Sequence, residues 1–500
     1  MRTVTIGTQP MTIEELLDVA AGSPMRLDES ARETIKASRA VVDRMLEGDV
    51  PVYGLNTGVG HMKDTRLPME ELRSTQLMLL MGHAGGLGDP TPTKLVRAAM
   101  AVRLNGIARG GSGASPALAD VLAAMLNAGV HPIVPSRGSV GMGDLGQLAT
   151  VGQVTLGAGR AELGGDAMAG GEALARAGIE PLQLGPKDGL TLMSSNAFSI
   201  AAGALALARA REVAELADLV AALSMEVVAA SSSSVRDEVS DAKPYQGQRA
   251  SAALIREALA NGDLANGVLE TSVQSPISYR VIPQVHGAVR EAIDSAAETV
   301  LIELNGQSDN PLVSIEDGEM IHNGNFDAVV MALAFEHLGL ALAHLGHLSE
   351  RRMNHLWDAF FSGGPPPVGT GGPPPELFGI TLRYPAATSW AELRRVASPV
   401  TLDIPALDLG LEDVASDAPA AVMKVDRALD LVEELLSIEV LMGADVLSTA
   451  SSRRLGRGTG DLLEVARGAL ADLGDDRSPA AAQRAVLAAL RSRTGAPEGP

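Results

Sequence analysis

The side chains able to do chemistry in this 500-residue chain sit among glycine-rich loops. Tyr53 opens YGLNTGVG at 53–60 and His83 lies in GHAGGLG at 82–88. Two more loops follow, RGGSGAS at 109–115 and SRGSVGMGDLG at 136–146. Glycine at that density means tight turns and close backbone approaches, the texture of a site-bearing region. Several chemistries are excluded at once. There is no cysteine, hence no disulfide, no thiolate nucleophile and no thiolate metal site. The nine histidines are scattered without metal-ligand spacing, and His344 with His347 shares one helix face in a Leu/Ala setting that reads as packing. The GxG runs lack a following Lys-Ser/Thr or a strand-to-helix context, so phosphate and dinucleotide binding are discounted. Taken one at a time, the loops are weak signals.

The elements that must position these loops are helical. Apolar residues make up 46% of the chain but aromatics only 2%, so the core is built from Ala, Leu, Val and Met, and Ala and Leu favour helix. Thr12 reads as an N-cap with Glu14 and Glu15 in the first turn, after a short strand pair or extended segment. Short helices alternate with the glycine loops up to about residue 170. Beyond 190, runs at 197–231, 285–305, 328–356 and 418–453 are Ala/Leu/Val-rich at helical spacing and predict a long antiparallel bundle. We divide the chain into a head, 1–195, and a bundle with a C-terminal helical region, 196–500. Some bundle helices are apolar nearly all round, which predicts burial against other subunits. GGPPPVGTGGPPP at 363–375 reads as either a linker or a lid. The net charge of −21 argues against nucleic acid and anionic membranes as partners. The N-terminus has no signal-peptide core, and no uncharged apolar stretch of about 18 residues is present. A cytoplasmic location is expected.

In order, the motifs are specific. Tyr53-Gly54-Leu55-Asn56-Thr57-Gly58, the His83 loop, RLNGIARGGSG at 103–113, GSVGMGDL at 138–145, Gln274-Ser275-Pro276 through Val285, Ser308-Asp309-Asn310-Pro311-Leu312, Gly324-Asn325-Phe326, LSERRM at 348–353 and Leu411-Glu412-Asp413 follow one another over about 50–430. Together they resemble the histidine/aromatic amino acid ammonia-lyases. The resemblance implies an all-α fold with a head and a long-helix bundle, a homotetramer and active sites shared between protomers. It implies that Tyr53 takes the β-proton of the substrate. A tyrosine has a pKa near 10 and needs positive charge or donated hydrogen bonds nearby to do so near neutrality. It implies that Arg280 holds the substrate carboxylate, a task suited to a planar two-pronged guanidinium. Glu412 falls where an acid contacts the amino or ring end of the substrate. His83, Asn310, Gln274, Ser194, Phe326, Asp327 and Ile277 fall at or beside substrate-binding positions.

One departure changes the chemistry. The family cyclises Ala-Ser-Gly into a methylidene-imidazolone electrophile, with serine losing water to form the exocyclic alkene. Here the interval is Gly141-Met142-Gly143, one residue shorter and without a hydroxyl. Ser139 matches the family's upstream serine and is a poor substitute. Nearby, Ser194, Ala197, Ile277 and Asp327 replace an Asn, a Gln, a Tyr and a His of the family pattern. The expectation is a site without this cofactor or any metal. Such a site suits an amine that leaves unaided. A quaternary trimethylammonium departs as neutral trimethylamine, and one branch of the family, the ergothionases, eliminates it from a histidine betaine without the electrophile. The reading is therefore a carbon–nitrogen lyase acting on a small histidine-like amino acid or betaine, with Asp327 or Glu412 facing the cation. The alternatives are an electrophile-free elimination, addition or isomerisation on another activated substrate, and an inactive homologue kept for binding or assembly.

Overall fold

The computed structural model describes residues 2–48, 50–269, 271–362, 376–402, 404–449 and 453–494. The proline-glycine stretch at 363–375, read above as a linker or a lid, lies outside the described residues. The described residues are mostly α-helical, with a few short strands. They form two compact units. One comprises Met1–Leu205, Ala297–Phe335 and Pro399–Met423, and the other Ala206–Ala296, Glu336–Ser398 and Lys424–Pro500.

The first unit opens with two short parallel strands, Val4–Ile6 and Met25–Leu27, in register at Val4 and Met25. The helix Ile13–Ala20 between them begins at Thr12, whose side chain accepts the Glu15 N–H while Glu15 reaches back to the Thr12 N–H. This capping box satisfies two backbone donors that the first turn leaves unpaired. The helix Thr93–Ala108 runs through the core with almost every residue from Val96 to Ala108 buried. On it, Arg103 meets Asp309 at 2.9 and 3.3 Å, with side chains only 2% and 1% exposed. A two-pronged pair is the geometry that offsets the desolvation of both charges. It also ties the Ser308–Leu312 motif to the core. The chain continues into a hairpin, Leu312–Ser314 with Glu319–Ile321. The hairpin holds Asn310 before it and His322 to Phe326 after it at one end of the unit.

The second unit holds most of the bundle. The runs read from composition are the helices Ala197–Val227, Ile282–Asn305, Val329–Ser362 and Ala418–Thr449; each passes from one unit to the other. Within this unit Arg352 of the LSERRM motif clamps Glu439 at 2.7 and 2.9 Å, both fully buried, and Ser224 and Ser349 donate to the same carboxylate. Arg352 is thus a bundle clamp. His347 stacks on Trp390, with centroids 4.7 Å apart. By length and mean hydropathy alone, 188–227 and 329–362 could cross a membrane. Polar Ser194, Ser195 and Asn196 interrupt the apolar run in the first, and Glu336 in the second. In its most apolar 18-residue window the first is 89% buried within the protein and so reads as a core helix. The second keeps Val329, Val330, Leu333 and Leu340 exposed, an apolar stripe on one helix.

Candidate active site

The motifs that carry Tyr53, His83, the 138–145 loop, Asn310, Phe326 and Glu412 converge in the first unit. They line one cavity of about 990 Å³, large enough for a small ligand.

Tyr53 is half-buried and reaches the cavity from a loop that turns back at Gly60. Its Oη accepts the Gly60 N–H at 3.0 Å. Gly60 has φ +58°, and a Cβ there would stand 2.2 Å from the Asp408 carboxylate, so glycine is what admits that carboxylate. Burial pushes the Tyr53 phenol above its ordinary pKa; the Gly60 N–H opposes this, while the Glu412 and Asp408 carboxylates add to it. The requirement read from sequence is therefore half met. One donated hydrogen bond is in place, and the charges that act on the phenol from within the unit are negative.

His83 donates from Nδ1 to the Leu79 carbonyl at 2.8 Å, which leaves Nε2 as an acceptor. The Asn310 carbonyl oxygen accepts the Asn323 N–H at 3.1 Å, so its amide hydrogens are the part left for a ligand. Ser194 ends the short helix Asp188–Met193 and is buried at the cavity wall beside Met193.

Met142 and Gly143 form part of the lining, and Gly141 precedes them outside it. The loop is fixed by backbone bonds. The Gly143 N–H donates to Asn196 Oδ1 at 3.0 Å, and Asn196 Nδ2 donates to the Phe326 carbonyl at 3.0 Å. The Gly141 carbonyl accepts the Ser416 hydroxyl at 2.9 Å, and the Gly141 N–H donates to Ser139 Oγ at 3.1 Å. Ser139 is therefore a loop brace.

Other residues stand elsewhere. Asp327 pairs with Met142 through the backbone, but its carboxylate accepts the Val329 N–H at 3.0 Å and caps the helix Val329–Ser362. It is not among the cavity lining, so of the two carboxylates expected to face a cation only Glu412 lines the cavity. Gln274, Ile277 and Arg280 belong to the second unit and are exposed; Arg280 hydrogen-bonds Gln274. The cavity lining is drawn from the first unit alone.

Charged and titratable lining residues not singled out from the sequence include His61, Lys63, His322 and Asp408. His61 directly follows the YGLNTGVG loop, whose GxG spacing points only to the phosphate binding discounted above. Its Nδ1 is 2.7 Å from one Asp408 oxygen, and its backbone N–H donates to the other at 2.9 Å. His322 stands edge-on to Tyr53, with centroids 6.4 Å apart. Asn196, which holds the degenerate loop, was missed too; its position beside the altered Ser194 and Ala197 was the available signal.

Comparison with known proteins places this geometry in context. The sequence model of the aromatic amino acid lyases matches residues 11–468. A histidine ammonia-lyase of Gloeobacter violaceus is 38% identical over 470 residues, covering 93% of this chain and 91% of the relative. One from Stigmatella aurantiaca is 35% identical over 477 residues, covering 95% and 93%. Among solved structures, the ergothioneine-degrading ergothionase of Treponema denticola, in complex with desmethyl-ergothioneine sulfonic acid, superposes with a TM-score of 0.92 at 29% identity, over 98% of this chain and 99% of that one. The tyrosine aminomutase of Streptomyces globisporus gives 0.89 at 30% identity, over 99% and 97%.

Proposed function

The chain belongs to the aromatic amino acid lyase family and is a carbon–nitrogen lyase; within that family we propose that it eliminates trimethylamine from a histidine-like betaine without a methylidene-imidazolone. The observation that carries the proposal is the 141–143 interval. The electrophile needs a hydroxyl to lose as water and a backbone nitrogen free to attack a carbonyl two residues back. Met142 has no hydroxyl, the Gly143 nitrogen donates to Asn196, and the Gly141 carbonyl accepts from Ser416. The residues present do not fit the group, and no step is routed through it.

The reaction rests on the chain's own side chains. A base takes the Cβ proton, the C–H electron pair becomes the Cα=Cβ bond, and the C–N pair leaves with the amine. Tyr53 as phenolate is the base. Glu412 faces the trimethylammonium or the ring, and His83 and Asn310 offer an acceptor and donors for the polar groups. With twelve aromatics in 500 residues, a carboxylate suits the cation better than an aromatic cage. The exposed Arg280 and Gln274 and the apolar stripe on 329–340 support a homotetramer in which another copy's Arg280 holds the substrate carboxylate. That assembly is soluble and cytoplasmic in this reading, with neither nucleic acid nor membrane as partner. The ergothionase neighbour supports the betaine over the free amino acid.

The test pairs each free amine with its trimethyl betaine, for histidine and 2-thiohistidine, and follows trimethylamine by NMR. The betaines react and the amines stay inert. Tyr53→Phe lowers turnover by about 10²–10⁴, the usual worth of a general base. Arg280→Lys mainly weakens binding, because it keeps charge and loses the fork. Ammonia released from histidine would overturn the proposal.

A further inference from the structure

We propose that His61, held by Asp408, is the proton-exit group of this site: its Nε2 receives the β-proton from Tyr53 and passes it to solvent. This rests on the elimination reading above. The amine departs as a neutral molecule carrying the C–N electron pair, so one proton per turnover stays behind on the protein. It first breaks from Cβ and bonds to the Tyr53 oxygen. The phenol must lose it again before the next substrate.

Tyr53 is poorly placed to shed that proton unaided. It is half-buried, and burial with two carboxylates favours its neutral form. His61 has the complementary placement. It lines the same cavity, directly follows the Gly60 whose N–H contacts the Tyr53 oxygen, and its side chain is 55% exposed. Asp408 grips it twice, at the ring Nδ1 and at the backbone N–H. A carboxylate on Nδ1 fixes the proton there and leaves the Nε2 lone pair free, the logic by which a His–Asp pair makes a base near neutral pH.

A second observation concerns the backbone that carries the carboxylate. Asp408 and Leu409 have φ of +46° and +58°, left-handed values in two residues with side chains. Such backbone is strained and persists where surrounding structure enforces it, often at functional sites. Here it brings the carboxylate under the Gly60–His61 turn.

The charged and titratable groups lining the cavity around His61 are Tyr53, Lys63 and Asp64 from its own loop and His83 from the helix Leu72–His83. His322 follows the hairpin, and Asp408, Glu412 and Asp413 come from the 399–423 segment. Lys63 is paired with Asp64 at 2.9 Å, and His83 Nδ1 is committed to Leu79. Among the other groups, His322 is the competing imidazole, and the same variants test it.

The decisive variant is His61→Asn, whose amide keeps a donor for Asp408 but cannot carry a proton. With histidine betaine as substrate, turnover falls by about 10²-fold, the low end for acid–base groups. Added imidazole restores it in proportion to concentration, and the limb of the pH–rate profile due to the imidazole disappears. A staple without a proton role predicts near-wild-type turnover and no buffer dependence, and that result overturns the inference. So does loss of the same limb in His322→Asn but not in His61→Asn. A second measurement needs no substrate: ¹⁵N NMR of the wild-type imidazoles. It should show neutral His61 protonated on Nδ1. Wild-type protein that releases no trimethylamine from any betaine defeats the proposed reaction, while a His61 proton on Nε2 defeats the relay whatever the reaction.

Discussion

Replacing Glu412 by glutamine should leave more of Tyr53 ionised at neutral pH. The phenol is raised first by burial and then by the Glu412 and Asp408 carboxylates. Glu412→Gln removes one negative charge facing the phenolate and keeps the side chain's shape. Two unit charges separated by one Debye length, about 8 Å, interact by about 2 kcal/mol at an effective dielectric of about 20. Screening over a Debye length of about 8 Å reduces this to roughly 0.8 kcal/mol, a factor of about four in the ionisation equilibrium. The sign is downward, since a nearby negative charge disfavours the phenolate. The ionised fraction at pH 7 then rises about fourfold. The assay is an ultraviolet titration of the phenolate band. The chain has four tyrosines, and subtraction of the Tyr53→Phe curve isolates the one of interest. If Glu412 also grips the substrate, binding weakens while the limiting pKa falls, so KM and the pH profile move independently. An unchanged or raised Tyr53 pKa in Glu412→Gln would refute the placement of that carboxylate opposite the base.

Asp309→Asn strips the partner from fully buried Arg103 and should cost about 3–5 kcal/mol in denaturant unfolding. The loss should exceed that of any exposed ion pair, such as Arg176 with Glu172. Burial raises Asp445 to about 6, against the opposing Ile380 and Phe378 N–H groups that it accepts. The folded state therefore binds this proton more tightly than the unfolded chain does. The corresponding stability, roughly 2–3 kcal/mol, is fully present below about pH 4 and is lost as pH rises through about 6. Asp445→Asn should flatten that slope in unfolding followed against pH. Intact-mass spectrometry of the purified 51.6 kDa chain should give the mass of the plain sequence, with no loss of water; a dehydrated species mapping to 138–146 would overturn the cofactor-free reading. Light scattering should give a tetramer, and a stable monomer at micromolar concentration would remove the shared site.

Local signals in the chain determined much of the architecture. The Ala/Leu runs marked the long helices to within a few residues at most ends, because burying an apolar helix requires that composition along its whole length. The Thr12 and Glu15 spacing determined a capping box, because both partners lie within one turn. The ordered loops named the site, and the missing hydroxyl at 141–143 is a fact of sequence alone. Which motif residue does what was decided by tertiary structure. Arg103, Arg352 and Asp327 look as functional as Tyr53 in one dimension, yet the first two are spent on buried carboxylates and the third on a helix cap. The change in texture near residue 195 lies close to the first passage between the compact units, at 205/206, but the later passages fall inside helices of uniform composition. The His61–Asp408 pair could not be read at all. Its members are 347 residues apart, and each is an ordinary polar residue in an ordinary loop. Only the left-handed turn at Gly60 and the strained backbone at Asp408 bring the imidazole and the carboxylate into contact, and a contact made by the fold leaves no periodicity or spacing along the chain.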